Sequence, residues 1–436
     1  MFTFIDLFAG AGGLSEGFVR AGFNPLAHIE MDKNACNTLK TRAAFHWLKA
    51  HNKLSLYKEY LETKKEKDDG SWLWEKVPES VIDTVIQEAI GSKTIKKIFK
   101  QVDTLVGPNK VDVIIGGPPC QAYSLAGRAR MGKEVENDPR NELYRYYVSF
   151  LRRYKPKMFV FENVKGLYSA TVKGEKPLDR LIALIKSCGY RVDLKLHNAS
   201  DYGVLQNRER IIIVGWKQKI DGRKTNFEYP VLQKILKKYR IGKDLFSDLP
   251  SRLAGDGSLT KPVQYTKDLS SESYLKLFRI RNSENFTTQH KTRTLNDNDR
   301  HIYKKAVNLW LTKRIRLDYS KLPEKYQTHR NKKCFLDRFK VVDPFSCSHT
   351  VVAHLSVDGH YFIHPTPNPT LETVRSITIR EAARIQSFPD DYFFEGSMGA
   401  AYKQIGNAVP VLLAENIANE IKKQLTKFDH SIRGNV

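Results

Sequence analysis

The 436-residue chain has no run of about 18 apolar residues, the least a membrane-crossing helix needs, so no spanning segment is expected. It has only five cysteines, at positions 36, 120, 188, 334 and 347. They are too scattered for a disulfide framework or a zinc knuckle, which predicts free thiols, no bound metal and a reducing, cytoplasmic setting. No basic leader precedes the first apolar segment, so an export signal is not expected either. Internal repeats and low-complexity tracts are missing, which excludes solenoid and propeller arrays. Acidic residues are short: 48 Asp and Glu face 72 Lys and Arg, a formal charge of +24. The deficit is local, because residues 217–345 hold 30 basic against 14 acidic side chains and so carry +16 of that excess. A concentrated basic region is the footprint of a polyanion binder. It names a class of partner and no chemistry.

What is present in the first half is alternation of strand with helix. Short β-branched or aromatic runs at Thr3–Leu7, Pro25–Ile29, Val111–Ile115, Met158–Phe161, Arg191–Leu196 and Ile211–Val214 read as strands. Amphipathic stretches at Leu14–Ala21, Glu142–Arg153 and Leu178–Ser187 read as helices between them. The pattern predicts an α/β fold, a doubly wound and mostly parallel sheet whose ligands sit at the carboxyl ends of the strands. Residues 1–216 form this first domain, with an inserted helical segment at about 46–100. Within that insertion the charged run Lys64–Gly70 is expected to be a solvated turn. Alternation stops after Trp216, so 217–398 is expected to be a smaller basic domain. Helix returns at Thr378–Phe388, and the segment 399–436, with a last helix at Pro410–Gln424, is expected to rejoin the first domain.

Chemistry-bearing residues gather at the predicted strand ends. Phe8-Ala-Gly10-Ala-Gly12-Gly13-Leu14 follows the first strand, and Glu30 ends the second, 17 residues after Gly13. Glycines let backbone N–H groups approach a ligand, and a carboxylate at the next strand end can accept from both hydroxyls of a ribose. The Gly-x-Gly-x-x-Gly of dinucleotide enzymes and the Gly-Lys-Ser/Thr of triphosphate sites are both missing, so a nucleoside is the expected ligand. Gly116-Gly-Pro-Pro-Cys120-Gln121 then aims a thiol from the end of a buried strand. Lone cysteines are usually small buried hydrophobes, which is the reading for Cys36, Cys188, Cys334 and Cys347. Cys120 stands instead where a thiolate nucleophile would, followed by a glycine-bearing loop with Arg128, Arg130 and Lys133 suited to closing over a phosphate backbone. Glu162 ends another apolar strand, an environment in which an acid can keep a proton to donate. Arg208 and Arg210 precede the strand 211–214 and offer fixed donors to a base or a phosphate.

In this order the residues resemble the cytosine-C5 DNA methyltransferase family, the bacterial kind that accompanies restriction endonucleases. The resemblance rests on Asp6–Gly13, Glu30, Gly117-Pro-Pro-Cys-Gln121, Glu162-Asn-Val164, Gln206-Asn-Arg-Glu-Arg210, Arg380–Pro389 and Gln404–Pro410. Only 46–100 and much of 217–345 lie outside the common pattern. The family implies the S-adenosylmethionine-dependent methyltransferase fold with a small DNA-recognition domain, the target being read within 217–345.

The resemblance also implies roles. Cys120 would add to carbon 6 of a flipped cytosine, Glu162 would hold and protonate N3, Arg210 would contact the base oxygen, Arg208 would order the site, and Asn163 would support the loop. Extrusion of the base costs a few kcal/mol of unstacking. Phe8, Gly10, Gly12, Gly13, Leu14, Glu30, Met31, Pro119 and Leu143, with Asn407, Ala408 and Val409 from the C-terminal turn, would surround S-adenosylmethionine, released as S-adenosylhomocysteine. Asp103 is the candidate acid for the adenine. Gln121, Ser124, Arg128 and Arg130 would hold the opened DNA, and side chains of 282–300 can contact base edges or phosphates. The implied partner is duplex DNA, met by a monomer, with a cognate endonuclease that forms no stable complex. A tRNA cytosine methyltransferase on the same scaffold is the competing expectation.

Overall fold

The computed structural model describes residues 1–119, 138–172, 174–282 and 285–433. Its centre is a sheet of β1 (Thr3–Leu7), β2 (Asn24–Glu30), β3 (Val85–Gln87), β4 (Val113–Gly116), β5 (Met158–Val164), β6 (Tyr190–Asn198) and β7 (Glu209–Lys217). The order is β3-β2-β1-β4-β5-β7-β6. The first five strands pair in parallel, and β7 runs antiparallel between β5 and β6. β1, β4 and β5 are apolar almost throughout, as strands covered on both faces must be.

The covering helices are α1 (Gly13–Arg20), α2 (Lys33–Ala50), α3 (Leu54–Thr63), α4 (Ile95–Val106), α5 (Leu143–Tyr154) and α6 (Pro177–Ser187), followed by α7 (Asp297–Lys313), α8 (Ile379–Ile385), α9 (Met398–Asn407) and α10 (Val411–Arg433). None in the described residues is long and apolar enough to cross a membrane. On one face Ile98, Val102, Tyr147, Phe150 and Leu181 pack against Ile5, Leu7, Ile114 and Phe159. On the other, Phe18, Leu413 and Ile417 pack against Phe4, Val113, Ile115 and Val160. Two helices meet closely there because α1 carries a glycine at the contact: a Cβ on Gly17 would lie 2.4 Å from that of Ala414. The C-terminal helix thus packs beside the first.

Three expectations are corrected. The segment 46–100 is not purely helical, since it contains β3, an edge strand of three residues that pairs with β2. Lys64 is not solvated: it is buried, and its Nζ lies 2.9 Å from Oε2 of Glu395. That carboxylate also accepts from the hydroxyls of Thr41, at 2.7 Å, and Tyr60, so α2 and α3 are pinned to the 390–395 segment. Among the predicted buried cysteines, Cys334 is exposed and Cys188 and Cys347 are half-buried.

Beyond β7, Phe227 and Tyr229 still pack against Val214, Trp216, Leu425 and Phe428. A further core joins Ile241, Leu245, Ile280, Val342 and Val351 to α8 and α9, and a separate cluster surrounds α7. Threonines 287, 288 and 292, Gln289 and His290 are each about 1% exposed, so this part of the polar stretch at 282–300 is interior scaffold and unavailable to DNA. Arg380 and Arg384 are equally interior. Arg380 donates to the carbonyls of Thr288, Pro389 and Tyr392 at 2.8–3.1 Å, and Arg384 pairs with Asp248 and Asp390, both at 2.6 Å.

Candidate active site

In the sheet the connections depart in opposite directions from β1 and from β4, and a crevice opens outside the carboxyl ends of strands at such a switch point. Both sequence signals lie there, one after each strand. After β1 the chain turns through left-handed conformations at Phe8 (φ 58°), Gly10 (54°) and Gly12 (80°) before entering α1. Glu30 at the end of β2 accepts from the N–H groups of Gly10, Met31 and Asp32, each at 2.8 Å. A Cβ on Gly10 would meet nothing within 4 Å, whereas one on Gly13 would stand 2.3 Å from the carbonyl oxygen of Val409. The first glycine faces open space and the other is the floor. Beneath the turn, burial raises the Asp6 carboxyl above its usual range, against the lowering pull of the neighbouring His28.

The Val409 contact brings the C-terminal turn to the glycine turn. Asn407 ends α9 exposed, while Ala408 and Val409 are buried. Two side chains hold this turn. Gln386 donates to the carbonyls of Ile405 (2.7 Å) and Ala408 (3.2 Å), and Arg208 donates to those of Gly406 (3.1 Å) and Ala408 (3.0 Å). Arg208 also reaches the carbonyl of Val351 at 2.6 Å and is 2% exposed. It thereby ties the 406–408 turn to the 351 segment from within the interior. Leu14 is buried in α1, Leu143 opens α5 half-buried, Pro119 is half-buried, and Met31 is 66% exposed beside Glu30.

Asp103 does not belong to this group. It lies in the last turn of α4, and a helix returning between parallel strands ends at their amino edge. Its carboxylate pairs there with Arg153 and accepts from Tyr154 Oη at 3.0 Å, at the end of α5 just before β5 begins. The Arg153 guanidinium holds its pKa below the usual carboxylate range. The carboxylate at the carboxyl edge is Glu88, directly after β3, whose N–H donates to the Glu30 carbonyl at 3.0 Å and whose side chain pairs with Lys97. The signal for it was an acid ending the β-branched run Val85-Ile86, one strand beyond Glu30.

On the other side of the switch point, Glu162 near the end of β5 meets Arg210 at the start of β7, Oε1 to Nε 2.7 Å. The antiparallel register makes them neighbours, since Val164 pairs with Arg210 and Glu162 with Ile212. Arg210 is anchored by a further bond from Nη1 to the carbonyl of Glu209, 2.8 Å. The pair is 12–13% exposed, open enough to meet a ligand and shielded enough to keep its geometry. A Cβ on Gly117 would come within 2.7 Å of Glu162 Oε2, so a side chain there would displace that carboxylate. Asn163 is buried; its side chain donates to the carbonyl of Pro118 (3.3 Å) and accepts from the N–H of Val164 (3.0 Å). The diproline is thereby tied to the strand that carries Glu162. Cys120, Gln121, Ser124, Arg128 and Arg130 lie outside the described residues.

A glycine turn with a strand-end carboxylate, and a Glu–Arg pair beside a Gly-Pro-Pro loop, stand on either side of one crevice. The family model for the C-5 cytosine-specific DNA methylase matches residues 2–64 and 78–423. The chain belongs to this family. A type II methyltransferase of Bacillus paralicheniformis, M.Bpa9945I, is 38% identical over 96% of this chain and 98% of its own. M.AgeI of Thalassovita gelatinovora, also a type II methyltransferase, is 30% identical over 96% and 98%. The crystal structure of a prophage-encoded E. coli protein described as a DNA modification methyltransferase superposes with a TM-score of 0.61 at 22% identity, over 98% of this chain and all of that one. The methylase is thus a C-5 cytosine-specific DNA methylase by family, and its fold is shared with that structure.

Proposed function

We propose that this methylase transfers a methyl group from S-adenosylmethionine to carbon 5 of a cytosine flipped out of a specific duplex sequence, through a covalent bond from Cys120 to carbon 6. Its biological role would be that of its type II relatives, host-DNA protection in a restriction–modification system. The observation that carries the reading is the Glu162–Arg210 pair, 2.7 Å apart, with Asn163 binding the same strand to the loop that leads into Cys120.

The crevice suits the cofactor. Gly10 leaves room for a ligand, Glu30 and Glu88 offer carboxylates one strand apart for ribose and adenine, and the 407–409 turn closes the opposite wall. When bound, S-adenosylmethionine supplies an electrophilic methyl group on a sulfonium. The protein's part is to make carbon 5 nucleophilic. The Cys120 thiolate bonds carbon 6 and pushes the electron pair of the 5,6 double bond towards carbon 5. Glu162 delivers a proton to N3, so that no charge accumulates on the ring, while Arg210 fixes that carboxyl and presents donors to the base oxygen. Once carbon 5 is methylated, loss of its proton to a base restores the double bond and expels the thiolate, and the N3 proton returns to Glu162.

The test is methyl transfer from labelled S-adenosylmethionine to duplex DNA and to tRNA, with wild type and Cys120→Ser in parallel. Transfer to DNA cytosine that is lost in the variant is expected. Transfer to tRNA alone, or activity that survives the substitution, would overturn the reading.

A further inference from the structure

A cavity of about 310 Å³, lined in part by Asn207, takes no part in the chemistry above. Its floor forms where the segment before β7 lies along residues 346–351. The Asn207 N–H donates to the carbonyl of Ser348 at 2.8 Å, and Thr350 Oγ1 to that of Asn207 at 2.6 Å. Trp310, near the end of α7, and Arg316, three residues beyond that helix, line it together with Cys347 and His349. Asn207 is three residues before Arg210, at most about 11 Å of chain. The cavity is therefore within a nucleotide or two of the position where the flipped base would meet Glu162.

Its walls are built to recognise something polar and planar. Arg314 is committed to structure: it pairs with Asp343 at 3.1 Å and stacks on Phe345, 3.9 Å from the ring centroid. Arg316 is not so committed. Its guanidinium stacks on Trp310 at 4.8 Å, it is exposed, and among the described residues it has neither a carboxylate partner nor a hydrogen bond. Trp310 Nε1 is shielded from solvent without an acceptor. His349 donates from Nε2 to the carbonyl of Tyr361, which leaves Nδ1 an acceptor, and burial lowers its pKa to about 4 so that it stays neutral. An oriented arginine fork with unspent donors on an aromatic ring meets the paired O6 and N7 acceptors of guanine. A phosphate can take the same fork, and the two are separated by whether binding depends on the base.

We infer that this cavity reads one guanine of the recognition sequence, near the target cytosine, with Arg316 as the reading residue and Trp310 as its support. The inference rests on the proposed duplex-DNA substrate. Its test is made by binding, so that it does not depend on turnover. Full-length wild type, Arg316→Ala and Arg316→Lys are each taken through a selection from random duplexes, and the Kd of each is then measured on the wild-type consensus and on copies with single guanines replaced by 7-deazaguanine. Expected is a consensus that loses one guanine in both variants, with cognate affinity weaker by about 5- to 150-fold. Deaza substitution at that guanine should weaken wild type and leave Arg316→Ala unmoved. An unchanged consensus would overturn the assignment. So would equal weakening on every duplex, full rescue by lysine, or a wild type that selects no guanine. Selective binding without methyl transfer would instead count against the proposed reaction and leave the reading pocket standing.

Discussion

His290 makes the fold around residues 250 and 378 sensitive to acid in a way that can be isolated. The side chain is about 1% exposed; Nε2 donates to the carbonyl of Pro250 at 2.8 Å, and Nδ1 accepts from Thr378 Oγ1 at 3.0 Å. Both ring nitrogens are used by the neutral form, and burial lowers the pKa from 6.5 to about 4, against the raising pull of Glu381. Between those values the unfolded chain binds the proton and the folded one does not. The stabilisation is therefore whole above about pH 6.5 and drains as pH falls towards 4. At 1.36 kcal/mol per unit, moving from pH 7.5 to pH 5 removes about 2 kcal/mol through this one group. The assay is the unfolding free energy from urea titration at both pH values, for wild type and His290→Gln. Glutamine can still donate to Pro250 and carries no titrating group. The variant is expected to be less stable at pH 7.5, and the gap should narrow by about 2 kcal/mol at pH 5. Other buried histidines titrate in both proteins and cancel in this difference. A gap that stays constant across the two pH values would refute the argument, because His290 would then titrate as it does in the unfolded chain.

Two further perturbations test the scaffold of the crevice. Gly13→Ala puts a methyl 2.3 Å from the Val409 oxygen and 3.1 Å from Ala408 Cβ, a backbone contact that cannot swing aside. A loss of about 1–3 kcal/mol is expected, with weaker S-adenosylmethionine binding by calorimetry as the 407–409 turn is displaced. A Tm and an affinity equal to wild type would show that the turn is not braced on this glycine. Arg384→Met leaves Asp248 and Asp390 buried, with Arg281 and Tyr265 as remaining partners. About 3–5 kcal/mol should be lost in thermal unfolding, and a loss below about 1 kcal/mol would mean that solvent reaches the carboxylates.

The sheet was legible because strands buried on both faces read as unbroken apolar runs, which is why Thr3–Leu7 matched the observed strand end for end. Part of the candidate site was legible because the glycine turn, Glu30, the Gly-Pro-Pro loop and Glu162 stand at the ends of such runs. β3 was hidden, being three residues long and flanked by charge, and with it the place of Glu88 one strand beyond Glu30. Asp103 was chosen for its nearness to the Cys120 strand, yet one helix length separates the two edges of a sheet, and only the direction of α4 decides between them. Lys64 reads as solvent-exposed beside Lys65, Glu66 and Lys67. Its partner, Glu395, is 331 residues away and no local rule can find it.

Polarity misled in the same way at 287–292. Thr287, Gln289 and His290 look like a surface that touches DNA, but the groups they satisfy are interior ones: Gln289 alone donates to the carbonyl of Phe394 at 2.8 Å and accepts from its N–H at 3.0 Å. A small domain with few regular strands must close its backbone hydrogen bonds by side chains, so its interior is polar by necessity. In this chain interior and reading surface have nearly the same composition, and only unspent donors separate them. Arg380, Arg384 and Arg208 have their guanidinium groups engaged with protein carbonyls or carboxylates. Arg316 does not, and that difference, more than net charge, marks where a base would be met.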